Sequence, residues 1–294
     1  MNNSGVFVST SGIKCQRISD AVRTLALAGF KNIELSGGSN YFQNWKDELL
    51  ELGSEFELVY RLHNYFPPPE QHFVLNLATT DPIQLERSRE MIANCINLST
   101  DFGSTTYGFH AGFFVDAKVE ELGSQIKSAK SFDRNFAMQQ FLSEYAALRK
   151  MGIDRGVSLF IENNVISGRN LNSFGGKNLL MLCDSDEFDA INSISQINLL
   201  LDIAHLKVSS ATLGRSFIGE AERLWQQSSY VHLSDNDGTK DSNDPIVKGS
   251  HMYELIKELG IQNKEITIEI YSGIEGIEGI EGIKETYENI TELL

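Results

Sequence analysis

Eight short apolar runs, each followed by a longer stretch of helical periodicity, constrain this chain more than any other feature. The runs lie near Val6–Ser11, Asn32–Leu35, Phe56–His63, Thr105–His110, Val157–Asn163, Ile197–Ile203, Tyr230–Ser234 and Ile266–Tyr271. Segments such as VSLFIE and INLLLDI read as apolar on both faces. That suits parallel strands buried between an inner core and outer helices. Between the runs, Met138, Phe141, Leu142, Tyr145 and Leu148 recur at helical spacing on one face. Asp81-Pro82 opens another helix, with Asp as N-cap and Pro in the first turn. Gly152 and Gly156 punctuate the helix end before the fifth strand. Eight such units with no shift in composition predict a single-domain (β/α)8 TIM barrel over residues 1–294. A doubly wound sheet is the competing topology.

Composition narrows the class. At 41% hydrophobic and 22% charged, the chain can bury a sizeable core without disulfides. Cys15, Cys95 and Cys183 are far apart and odd in number, with no CxxC pair, as expected of thiols in a reducing cytoplasm. The opening MNNSGVFVSTSG has neither a basic nor an apolar signal region, and no run approaches the ~18 apolar residues of a membrane span. A net charge of −15 repels a phosphate backbone, so nucleic acid is disfavoured as a partner. A homo-oligomer is compatible with the chain. The GIEGIEGIEGI tract within Ser272–Lys284 is too short for a solenoid. It predicts a loop and the start of the last helix, read as an expanded surface insertion or, alternatively, a substrate lid.

In a barrel, chemistry sits where strands end. Here the third run ends in His63, the fourth in His110 and the fifth in Glu162-Asn163-Asn164. The sixth ends in Asp202 with His205 three residues on, the seventh carries His232, and the eighth carries Glu269. Each residue alone has an ordinary structural role open to it: a hydrogen-bonded histidine, a carboxylate paired with lysine, or a helix cap. Together they are a convergent set of acidic and imidazole groups, whose repulsion calls for a cation. His72 and His251 fall outside the set and read as solvated.

These stretches resemble the xylose-isomerase-like TIM barrel superfamily, which includes sugar isomerases and epimerases, inosose dehydratases and apurinic endonuclease IV. LHNYF, TTYGFHAG, SLFIENN, LLLDIAHL, YVHLSDNDG and ITIEIY carry the resemblance in order, across nearly the whole chain. It implies a core metal held by Glu162, Asp202, His232 and Glu269, and a second ion near His63, His110 and Glu162. In the endonuclease branch a third ion needs a downstream Asp-x-His; here that element reads Asp241-Ser242-Asn243, which puts the nuclease site in doubt. In the isomerase branches the histidine of Asp-x-x-His contacts substrate, a role that would fall to His205. Asn164, Asp241 and Lys248 are further candidates for substrate contact. Phe113, Phe114 and Tyr65 are candidates for an apolar wall over a sugar ring.

The implied chemistry is a metal-dependent sugar or sugar-phosphate isomerase or epimerase with a small carbohydrate substrate. Glu162 and Glu269 would take and return a proton beside a carbonyl, and a divalent ion would stabilise the enediolate as a Lewis acid. The mixed oxygen and imidazole set suits Mn, Mg, Co or Zn. The alternatives are an endonuclease IV-like phosphodiester hydrolase, an inosose-dehydratase-like lyase, and a non-catalytic sugar-binding barrel.

Overall fold

The computed structural model describes residues 5–127, 130–271 and 280–294. Eight parallel strands close into one barrel in sequence order: β1 (Val6–Ser9), β2 (Asn32–Leu35), β3 (Val59–His63), β4 (Thr106–His110), β5 (Ser158–Glu162), β6 (Leu199–Asp202), β7 (Ser228–Leu233) and β8 (Glu265–Ile268). Closure comes from β1 pairing with β8 through Val6–Ile266 and Val8–Ile268. A closed sheet has no edge strand, which excludes the doubly wound alternative.

At least one helix follows each strand. Asp81 caps the helix Pro82–Asp101 by accepting from the Ile83 and Gln84 N–H groups. In the helix Arg134–Asp154 the buried face is Ala137, Phe141, Tyr145, Leu148 and Gly152. A Cβ at Gly152 would lie 2.5 Å from the Val157 carbonyl oxygen, so the glycine lets this helix close onto β5. Among the described residues, no helix is long and apolar enough to cross a membrane. Cys95 and Cys183 are buried thiols without a disulfide.

Two sequence expectations change. The third strand starts at Val59, because the preceding helix runs to Phe56 and ends on Glu57 in the left-handed region (φ 54). The strands are also not apolar on both faces. Their outward residues, among them Val8, Ile33, Leu62, Phe109, Ile161, Leu201, Val231 and Ile268, join the main core beneath the helices. Inward residues alternate with these, as a period of two requires. They form a small separate cluster of Phe160, Leu200 and Tyr230 among polar groups: Glu34, Arg61, His63, Glu162, Asp202, His232 and Thr267, all buried. The GIEGIEGIEGI reading is met only at its end, where Ile280 opens the helix Ile280–Thr291. The proposed loop and lid at 272–279 lie outside the described residues.

Candidate active site

Glu162 is the hub of a cluster at the C-terminal mouth of the barrel. Its Oε2 lies 2.8 Å from His63 Nε2 and 3.1 Å from His110 Nδ1. Its Oε1 lies 3.6 Å from both His205 Nδ1 and His232 Nδ1. His63 can approach this closely because β4 offers Gly108 opposite it. A Cβ there would sit 2.8 Å from the His63 ring and 3.0 Å from Leu200.

Backbone ties fix the other members. Asn163 joins the ends of β5 and β6, accepting from the Asp202 N–H at 2.7 Å and donating to the Asp202 carbonyl at 3.0 Å. Asp202 Oδ1 then caps the following helix, accepting from the His205 N–H at 2.7 Å. Glu269 stands one residue beyond β8, where its N–H donates to the Leu233 carbonyl. Its Oε1 accepts from Ser11 Oγ at 2.8 Å, and its Oε2 lies 2.9 Å from His232 Nδ1. His205 is held between the Asn163 carbonyl (Nδ1, 3.0 Å) and Asp241 (Nε2, 3.2 Å).

Charge states follow from these contacts. Burial pushes the Asp202 carboxyl up to about 7, against the pull of His205. Burial also works to raise Glu162, but the His110 and His63 imidazoles outweigh it and hold Glu162 well below the usual carboxylate range. At Glu269 the same opposition, with His232 as its hydrogen-bond partner, leaves the carboxyl at about 2. His232 is raised well above an ordinary histidine, because Glu34 and Glu269 overcome its desolvation.

The donor set fits a divalent ion. One ligand atom each from Glu162, Asp202, His232 and Glu269 can be chosen with all four within 4.8 Å of one another, and the four residues come from the ends of four strands. Glu162 Oε1 and Asp202 Oδ2 are buried without a hydrogen-bond partner, a costly arrangement that a cation would relieve. Two more triplets share Glu162: His63 with His232, and His110 with His205. The expected second set of His63, His110 and Glu162 is therefore split between two neighbouring foci. Both histidines nevertheless reach Glu162 Oε2.

A cavity of about 490 Å³ opens over this cluster, lined by Tyr65, His110, Phe113, His205, Asp241 and Tyr271 among others. The loop carrying Asp241 is pinned by paired backbone bonds between Asp235 and Asp244, and by Lys207 on Asp235 and the Asn236 carbonyl. A second groove of about 640 Å³ runs past Trp45 and Pro67 and contains none of the cluster side chains.

Other candidates fall elsewhere. Lys248 is exposed and paired with Glu292 on the C-terminal segment, because its loop leaves the mouth before the helix His251–Leu259 begins. It does not line the cavity, whereas Lys240 does. Asn164 borders the cavity, but its Nδ2 donates to the Ala111, Gly112 and Met181 carbonyls, which makes it a brace between loops. Phe114 is buried under the Arg134 guanidinium, while Tyr65 and Phe113 do line the cavity. Asn243 is a buried turn residue (φ 48) whose Oδ1 accepts from Ser234 Oγ. Sequence reading missed Glu34, which touches His232 from the lumen, and Ser11, which holds Glu269. Glu34 left one signal: a carboxylate within the four-residue strand NIEL, all of it buried.

Comparison with known proteins agrees with this architecture. Similar solved structures include a D-tagatose 3-epimerase-like protein (TM-score 0.70, 15% identity, 98% of this chain and 97% of that one). Others are a D-allulose 3-epimerase from Methylomonas sp. (0.65, 12%, 98% and 96%) and an AP endonuclease, family 2, from Brucella melitensis (0.62, 11%, 95% and 96%). At these identities the likeness shows the fold. No curated protein matches the chain. Residues 22–293 match the sequence pattern of the xylose isomerase-like TIM barrel, and the chain belongs to that family.

Proposed function

We propose that the protein is a metal-dependent sugar isomerase or epimerase of the cytoplasm. The observation that carries this reading is the four-residue focus of Glu162, Asp202, His232 and Glu269, with the neighbouring His110 and His205 lining an open cavity. The solved structures named as 3-epimerases support it. Glu162, Asp202, His232 and Glu269 would hold the ion. A divalent ion there supplies Lewis acidity to the carbonyl and hydroxyl oxygens of a bound sugar.

The chain's own groups do the rest. Glu162 and Glu269 both belong to the focus and are ionised, so each can accept a proton. Ser11 fixes Glu269 through Oε1, leaving Oε2 on the side of His232. His205 and Asp241 line the cavity wall and can hydrogen-bond sugar hydroxyls. Tyr65 and Phe113 supply apolar surface beside them.

The test is a panel of ketoses and aldoses, with and without phosphate, incubated with Mn-loaded protein in deuterated water. The expected result is deuterium incorporated beside the carbonyl of at least one sugar, with isomer formation. Binding of sugars without exchange would contradict the reading. A second reading, a metal-dependent phosphodiester hydrolase, is favoured by His63 and His110 on Glu162 Oε2. Cleavage of an abasic-site duplex by the same preparation would select it.

A further inference from the structure

We propose that Glu34 is a positioning residue for His232, and that Arg61 acts on the site through Glu34. The inference rests on the metal reading above and adds two residues to it, neither of which faces the cavity.

Glu34 is fully buried, and its carboxylate spans the lumen from β2 to β7 and β8. Its Oε2 accepts from Tyr230 Oη and from Thr267 Oγ1, the latter at 2.9 Å. That leaves Oε1, which has no hydrogen-bond partner and lies at an ion-pair distance of 3.0 Å from His232 Nε2. Tyr230 Oη is also 3.3 Å from this nitrogen. Its single proton goes to Glu34, so it presents a lone pair to the ring. Both neighbours of Nε2 are therefore acceptors, and Nε2 must carry a proton. Nδ1 also faces carboxylate oxygens, Glu269 Oε2 at 2.9 Å and Glu162 Oε1 at 3.6 Å, so it is the nitrogen that would give up its proton for an ion held by those carboxylates. A carboxylate behind a ligating histidine fixes both tautomer and ring orientation.

Glu34 needs a counter-charge of its own. A metal-bound His232 is neutral, and a buried carboxylate without a counter-charge is costly. Arg61 supplies the charge. It is buried with its guanidinium 4.0 Å from the Phe7 ring centroid and 4.4 Å from that of Tyr230. Its Nη2 donates to Glu265 at 2.7 Å. Its Nη1 donates to Thr267 Oγ1 at 3.4 Å, the hydroxyl whose proton goes to Glu34. A chain of contacts thus runs from Glu265, half-exposed at the N-terminal end of β8, to the metal-facing side of His232.

The test compares wild type, Glu34→Gln, Arg61→Met and the double variant. Mn binding is read by calorimetry, and the His232 Nε2–H of the ion-free protein by ¹⁵N NMR. Glu34→Gln should weaken Mn binding by about 10–100-fold, and Arg61→Met by a similar factor. The double variant should be no more than about twofold worse than the weaker single, since both act through one carboxylate. Full additivity would overturn the role given to Arg61. Folded Glu34→Gln that binds Mn within twofold of wild type would overturn the role given to Glu34. If wild type binds no divalent ion, the metal reading fails by itself. The Glu34 claim then rests on the NMR arm: a slowly exchanging His232 Nε2–H in wild type that exchanges rapidly in folded Glu34→Leu supports it, and an unchanged Nε2–H signal overturns it.

Discussion

The outer face of the barrel strands carries Val6, Val8, Ile33, Leu62, Phe109, Leu201 and Val231, packed under the helices as one continuous apolar layer. The lumen face of the same strands carries Phe160, Leu200 and Tyr230 together with Glu34, Arg61, His63, Glu162, Asp202 and His232. The two faces differ by one residue of register. On the outer face burial is stabilising at about 25 cal/mol per Å² of apolar area, and chemistry is absent. On the lumen face burial is costly for each charged group; ion pairs offset much of it, and the unpartnered Glu162 Oε1 and Asp202 Oδ2 are left for a cation. Stability and function are thus laid out on opposite sides of one sheet. A change on one side should be nearly silent on the other.

That separation can be broken in two directions. The largest expected effect is on the lumen face. Glu269→Gln should lower sugar-proton exchange by about 10²–10⁴-fold, because an amide keeps an oxygen for the ion but cannot accept a proton. Any fall in the thermal midpoint should track the metal lost, since Glu269 is also one of the proposed ligands. Metal content measured in the same sample separates lost basicity from lost metal. Exchange at the wild-type rate with metal retained would demote Glu269 to a ligand.

The opposite experiment is Leu201→Ala on the outer face, one residue from Asp202. It should cost about 2–5 kcal/mol of stability by opening a cavity under the helices. Denaturant unfolding checks the cost. Mn affinity and exchange rate, measured well below the unfolding transition, should stay within about twofold of wild type. A parallel loss of Mn affinity would show that the two faces are mechanically coupled.

The same contrast explains what could be read from the sequence. Glu162, Asp202 and His232 end or nearly end apolar runs, and Glu269 follows one, so each stands out where a barrel places its chemistry. The backbone closure follows from eight runs of similar length. Glu34 and Arg61 lie inside strands of four and five residues. A polar residue there could equally face solvent at an edge, and nothing in NIEL or VYRLH says that its partner is a histidine almost 200 positions away. Reading the strands as apolar on both faces hid the lumen network, although the alternation in VYRLH carried it. Lys248 misled because proximity in sequence to Asp241 does not survive the loop, which turns Lys248 toward Glu292.

The central claim is that Glu162, Asp202, His232 and Glu269 converge to hold one divalent ion. Its most direct measurement is a crystal structure of Mn-loaded protein with anomalous data collected at the manganese edge. The account expects an anomalous peak bonded to one atom from each of these four side chains, with His232 ligating through Nδ1. A peak held by other residues, or a fully loaded protein with no peak at the barrel mouth, would contradict it.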